Sequence, residues 1–61
     1  MATAQRIVSS HTTETFADQQ KLESELREFA IRIDGPNCYD RIYYFFDGSK
    51  VTKTRTGFVA G

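Results

Sequence analysis

A single histidine, a single cysteine and a scatter of aspartates are the residues of this chain that could carry chemistry, and their spacing supports little of it. His11 follows Ser9 and Ser10 and precedes Asp18, the residue types of a hydroxyl nucleophile and its base. Acyl transfer also needs an oxyanion pocket, and no nucleophile-elbow glycines accompany these residues. His11 is therefore read as a surface residue in a polar segment. A reactive Cys38 would need neighbouring cations or a helix N-terminus, and Asp40 opposes Arg41, the one cation close to it in sequence. Cys38 reads instead as a small semi-buried residue. Asp34 and Asp40 bracket a turn-rich stretch without EF-hand spacing, and Asp is an ordinary residue for ending elements. The glycines, at 35, 48, 57 and 61, are too scattered to cradle a phosphate. With one histidine and one cysteine, a four-ligand zinc site is out of reach. The expectation is a protein that is not an enzyme, with no metal and no cofactor.

One constellation remains. Residues 41–55, RIYYFF-DG-SKVTKTR, read as a β-hairpin, because Asp-Gly between β-branched and aromatic residues is a strong hairpin signal. If Asp47 and Gly48 form the whole loop, Phe46 lies opposite Ser49, Tyr44 opposite Val51, and Ile42 opposite Lys53. Side chains alternate across a strand, so this register separates two sets. Ile42, Tyr44, Phe46 and Val51, with Lys53 toward the end, form one face that covers a helix. Arg41, Tyr43, Phe45, Lys50, Thr52 and Thr54 form the other. Two aromatic rings among cations and hydroxyls suit a contact surface, so Arg41, Tyr43, Phe45, Lys50, Thr52 and Arg55 are the expected partner-binding residues. Tyr43 and Phe45 would stack on bases while the cations neutralise phosphates, or the rings would be covered by protein: the tail with Phe58, or a second subunit.

The elements that position this face follow from periodicity. Residues 5–10 (QRIVSS) suggest a short strand around Ile7 and Val8. Thr15 followed by Asp18 resembles a capping box with Asp in place of Glu, with Thr12 or Thr13 as alternative N-caps. Residues 16–29 are rich in helix formers, and Leu22, Leu26, Phe29 and Ile33 share one stripe. Ile33 either continues that helix toward Gly35-Pro36 or belongs to an alternating strand at residues 31–33; a helix to about Phe29 and then a strand is preferred. Residues 34–40 form a connection, and residues 56–61 are either a strand extension carrying Phe58 and Val59 inward or a frayed tail. The picture is one α+β domain over residues 1–61: an amphipathic helix on a small three- to four-stranded antiparallel sheet, in β-α-β-β order.

Size and charge bound the function. A chain of 61 residues buries only about 60% of its unfolded surface, and the lone cysteine excludes an internal disulfide staple. A lone cysteine also suits a reducing compartment. Eight bases balance eight acids, which weakens any reading as a general polyanion binder. The charge is nonetheless polarised, with five acids against two bases in residues 14–28 and four bases against one acid in residues 41–55. There is no signal-peptide-like core and no membrane-length apolar run, so a cytoplasmic chain without membrane contact is expected. These features point to a non-catalytic protein-interaction module, an accessory regulator or inhibitor, binding through the hairpin face or a strand edge. A single-stranded nucleic-acid binder is the alternative, and a structural homodimer the third reading.

Overall fold

The chain runs α1 (Thr3–Ser9), α2 (Phe16–Phe29), β1 (Arg32–Asp34), β2 (Arg41–Tyr44), β3 (Lys50–Thr54) and β4 (Gly57–Ala60) in the computed structural model, which describes residues 2–37 and 39–61. The four strands form one antiparallel sheet in the order β1-β2-β3-β4. The α+β class, with an amphipathic helix on an antiparallel sheet, is as the periodicity indicates. The chain ahead of that helix differs: the segment expected to be a strand is α1.

α2 forms where its local signals place it. The Thr15 hydroxyl accepts the Asp18 N–H at 3.1 Å, capping the first turn. The Thr15 and Thr12 hydroxyls in turn hold the Asp18 carboxyl below its ordinary range. Leu22 and Leu26, one turn apart, are fully buried, while Phe29 and Ile33 at the end of the same stripe are largely exposed. The helix ends at Phe29, and Ala30 adopts an extended backbone that leads into β1. The strand reading of the segment around Ile33 is therefore the observed one.

α1 replaces the expected strand because Ala4, Ile7 and Val8 recur at helical spacing and face the core. Its cap is not local. Ala2 stands at the N-cap and supplies no side-chain hydrogen bond. Instead the Asp47 carboxylate accepts the Thr3 N–H at 2.8 Å, and the Ser49 hydroxyl accepts the Ala4 N–H at 3.1 Å. The turn between β2 and β3 thus satisfies the first amides of a helix more than forty residues away in sequence.

That turn has three residues rather than two. The Gly48 N–H donates to the Phe45 carbonyl at 3.1 Å and the Phe45 N–H to the Ser49 carbonyl at 3.0 Å, so Phe45 and Ser49 close the loop. Gly48 has φ +86°, whereas Asp47 does not reach positive φ, which a two-residue type I′ loop would require of it. This is a type I turn followed by a left-handed glycine. The register becomes Arg41↔Lys53, Ile42↔Thr52, Tyr43↔Val51 and Tyr44↔Lys50, one residue from the two-residue expectation. A shift of one residue moves a strand's whole side-chain set to the other face.

The core accordingly comprises Ala4 and Ile7 of α1, Leu22 and Leu26 of α2, Tyr43 and Phe45 from the first hairpin arm, and Val51 of β3. Phe58 and Ala60 of β4 pack against it from the same face, while Val59 points away and is exposed. The C-terminal segment is thus a paired strand, with Phe58 inward but Val59 outward. Between β1 and β2, Gly35 is irreplaceable for a different reason. A Cβ there would lie 2.1 Å from the Asp40 carbonyl oxygen, and φ is +132°.

Two outcomes follow. Gly48 has open space around it, so Gly48→Ala meets only left-handed backbone strain; it should cost about 1–2 kcal/mol by urea unfolding, with Gly48→Asn costing less. The Asp47 carboxyl is depressed by the Ser49 hydroxyl, then by the Thr3 and Ser49 N–H groups. Asp in the unfolded chain ionises at about 3.9, so this group's contribution is complete above that pH and is lost as pH falls toward the lower folded value. Urea midpoints should fall below pH ~4 in the native chain. In Asp47→Ala they should start lower and fall less over the same window, the remainder coming from Asp18 and Glu23.

Candidate interaction surface

The register decides which of the expected contact residues reach solvent. Tyr43 is 0% exposed and Phe45 2%, both sealed beneath the helices, while Phe46 is 78% exposed at the turn and Tyr44 is partly exposed. The assignment of Tyr43 and Phe45 to an outward contact face is therefore corrected. The extra loop residue brings Tyr43 opposite Val51, so the odd-numbered positions of both strands point inward together.

Arg41 lies on that inner face as well. The Glu23 carboxylate of α2 sits among three cations: Lys53 Nζ at 2.8 Å, Arg27 at 3.5 Å and Arg41 at 3.9 Å. Partial burial opposes its charge, but the Lys53 ammonium, with Arg27 and Arg41 behind it, prevails and holds the Glu23 carboxyl below its ordinary value. Arg41 and Lys53 thereby spend their charge inside the molecule. One acid of α2 thus meets two bases of the hairpin where α2 packs on the sheet.

Lys50 and Thr52 do lie on the outer face, as expected. Arg55 is exposed in the β3–β4 turn, its guanidinium 5.2 Å from the centroid of the Tyr39 ring. The six residues expected to form one surface are thus divided: Arg41, Tyr43 and Phe45 inside, Lys50 and Thr52 outside, and Arg55 in a turn.

The outer face carries an aromatic–basic arrangement of its own. Arg32 of β1 and Lys50 of β3 are both directly opposite Tyr44 of β2, so the ring has a cation on either side. The Arg32 guanidinium lies 5.6 Å from the Tyr44 ring centroid. The next row across the sheet is Asp34, Ile42, Thr52 and Val59. Asp34 accepts from Arg32 at 3.0 Å, and Lys50 makes no ion pair among the described residues. Both helices pack on the opposite face, leaving this one uncovered by the described residues. Sequence reasoning missed Arg32, Ile42, Tyr44 and Val59. No local signal separated the two registers, because Asp-Gly serves a two-residue loop and a three-residue loop ending in left-handed glycine alike.

The other candidates are engaged elsewhere. The His11 ring pairs with the Glu25 carboxylate of α2. The Ser9 hydroxyl accepts from Gln5, and the Ser10 hydroxyl donates to the Arg6 and Ile7 carbonyls. The Asp18 carboxylate accepts from the Thr12 hydroxyl and its N–H donates to the Thr15 cap, so these residues do not assemble into a nucleophile and base. Asp40 is exposed at an Asn37-centred turn. Cys38 lies outside the described residues. Among those that are described, no group of three or more His, Cys, Asp or Glu side chains gathers as a metal site would require. Among the described residues, no helix is long and apolar enough to cross a membrane.

No protein-family model matches this chain, nor does any curated protein or solved structure.

The burial of both inward rings gives opposite expectations for two substitutions. The Tyr43 hydroxyl is buried with no hydrogen-bond partner among the described residues. Tyr43→Phe should therefore be neutral or stabilising by about 1 kcal/mol, because an unsatisfied buried hydroxyl is removed. Phe45→Ala should cost about 3–5 kcal/mol through the cavity it leaves, enough to unfold a domain this small. Chemical denaturation followed by circular dichroism separates the two.

Proposed function

We propose that this chain is a non-catalytic protein-interaction module that docks through the uncovered face of its sheet. The observation that carries this reading is the row Arg32–Tyr44–Lys50 beside Ile42, Thr52 and Val59. A tyrosine beside an arginine is the residue pair enriched in binding hot spots. The matching partner is a protein surface with an apolar side chain to lie on Ile42, Tyr44 and Val59 and carboxylates to meet Lys50 and Arg32. Such a docking face suits an accessory regulator or inhibitor of a larger complex.

A second reading has one observation in its favour. The same row would let a base stack on Tyr44 while Arg32 and Lys50 meet phosphates, as single-strand binders do. Zero net charge and the internal pairing of Arg41 and Lys53 count against it.

Site-resolved crosslinking distinguishes them. A photoreactive side chain at Thr52 should capture protein from native lysate after nuclease treatment, and one at Gln20 on α2 should not. Lys50→Glu, an exposed change expected to alter stability by no more than about 0.5 kcal/mol, should abolish the capture. Equal capture from both positions, or capture indifferent to Lys50→Glu, would refute the outer face as the docking surface. Adducts that vanish with nuclease, and binding that falls steeply with added salt, would establish the nucleic-acid reading.

A further inference from the structure

We infer that β1 is a pairing edge for a second copy of this chain, joined antiparallel about a two-fold axis through Ile33. β1 is a terminal strand of the sheet, hydrogen-bonded on one side only, and all three of its residues are exposed. Along it lies an apolar run that the fold leaves unburied: Phe29 is 50% exposed, Ile31 69% and Ile33 43%. The run follows the α2 residues that build the core, and its burial requires something beyond one chain.

Symmetry and charge together select the register. Two identical strands pairing antiparallel are related by a two-fold axis perpendicular to the sheet. Directly opposed residues must share a face, so the axis passes through a residue and not between two. β1 offers three such centres. Centring on Arg32 sets two guanidinium groups opposite each other, and centring on Asp34 sets two carboxylates opposite, both destabilising. Centring on Ile33 places Arg32 opposite the second copy's Asp34, Asp34 opposite its Arg32, and the two Ile33 side chains together on the inner face. Short charged edges ordinarily guard a sheet against indiscriminate pairing. Here the same two charges become complementary in one register alone. The pairing would yield an eight-stranded sheet with both sets of helices on one side. It shares Arg32 with the outer-face reading, while Asp34 and the edge backbone belong to the pairing alone.

Exchanging the charges tests it. In the native chain, sedimentation equilibrium should detect a monomer–dimer equilibrium at concentrations up to roughly 1 mM. Arg32→Asp and Asp34→Arg each set like charges across the seam and should weaken dimerisation about tenfold or more. Both side chains are more than half exposed, so the fold should survive, which circular dichroism checks. Mixing the two single variants should restore association as a heterodimer, and the double variant Arg32→Asp/Asp34→Arg should dimerise again by itself. A native chain that stays monomeric throughout, or a dimer indifferent to both exchanges, would overturn the inference.

Discussion

The turn from Phe45 to Ser49 is the constraint on which the rest of this structure depends. One additional residue in the loop, accommodated by left-handed backbone at Gly48, places Tyr43 rather than Tyr44 opposite Val51. That alone selects which half of the YYFF run is buried, and hence which side chains meet the helices. The same loop turns the Asp47 carboxylate and the Ser49 hydroxyl onto the first amides of α1. The hairpin and the first helix therefore stabilise each other: α1 has no cap of its own, and the loop gains a fixed partner for its charged group.

Electrostatic compensation gives the molecule its second organising contact. The acids of α2 and the bases of the hairpin look like two poles of a dipole when read along the chain. Folding brings Glu23 against Lys53, Arg41 and Arg27, and pairs Glu25 with His11. Lys53 and, at longer range, Arg41 meet Glu23 at the rim of the core, where they tie α2 to β3 and β2. The cations left on the other face, Arg32 and Lys50, flank one aromatic ring.

A chain of this length cannot cover both sides of a four-stranded sheet. Two helices seal one face around a core of seven apolar residues, the other face is uncovered by the described residues, and β1 ends the sheet with one strand neighbour. The two proposed contacts use these different consequences of one limitation. The outer face offers side chains, with backbone hydrogen bonds already made within the sheet. The β1 edge offers unpaired backbone with its register encoded by charge.

Much of this architecture is legible in the residues alone. The amphipathic α2 with its Thr15 cap, the strand after it and the hairpin all rest on local interactions, and local interactions are written in contiguous residues. What escaped sequence reasoning rests on contacts between distant segments. Ile7 and Val8 suit a strand by propensity, and α1 becomes helical with its amides met by Asp47 and Ser49 and its apolar stripe by the core. The aromatic–basic character of the hairpin was visible, but Tyr43 and Tyr44 are chemically alike and adjacent, so composition could not say which one faces outward. A single loop residue and the packing of two helices made that choice, because strand side chains alternate and only one parity can line a core.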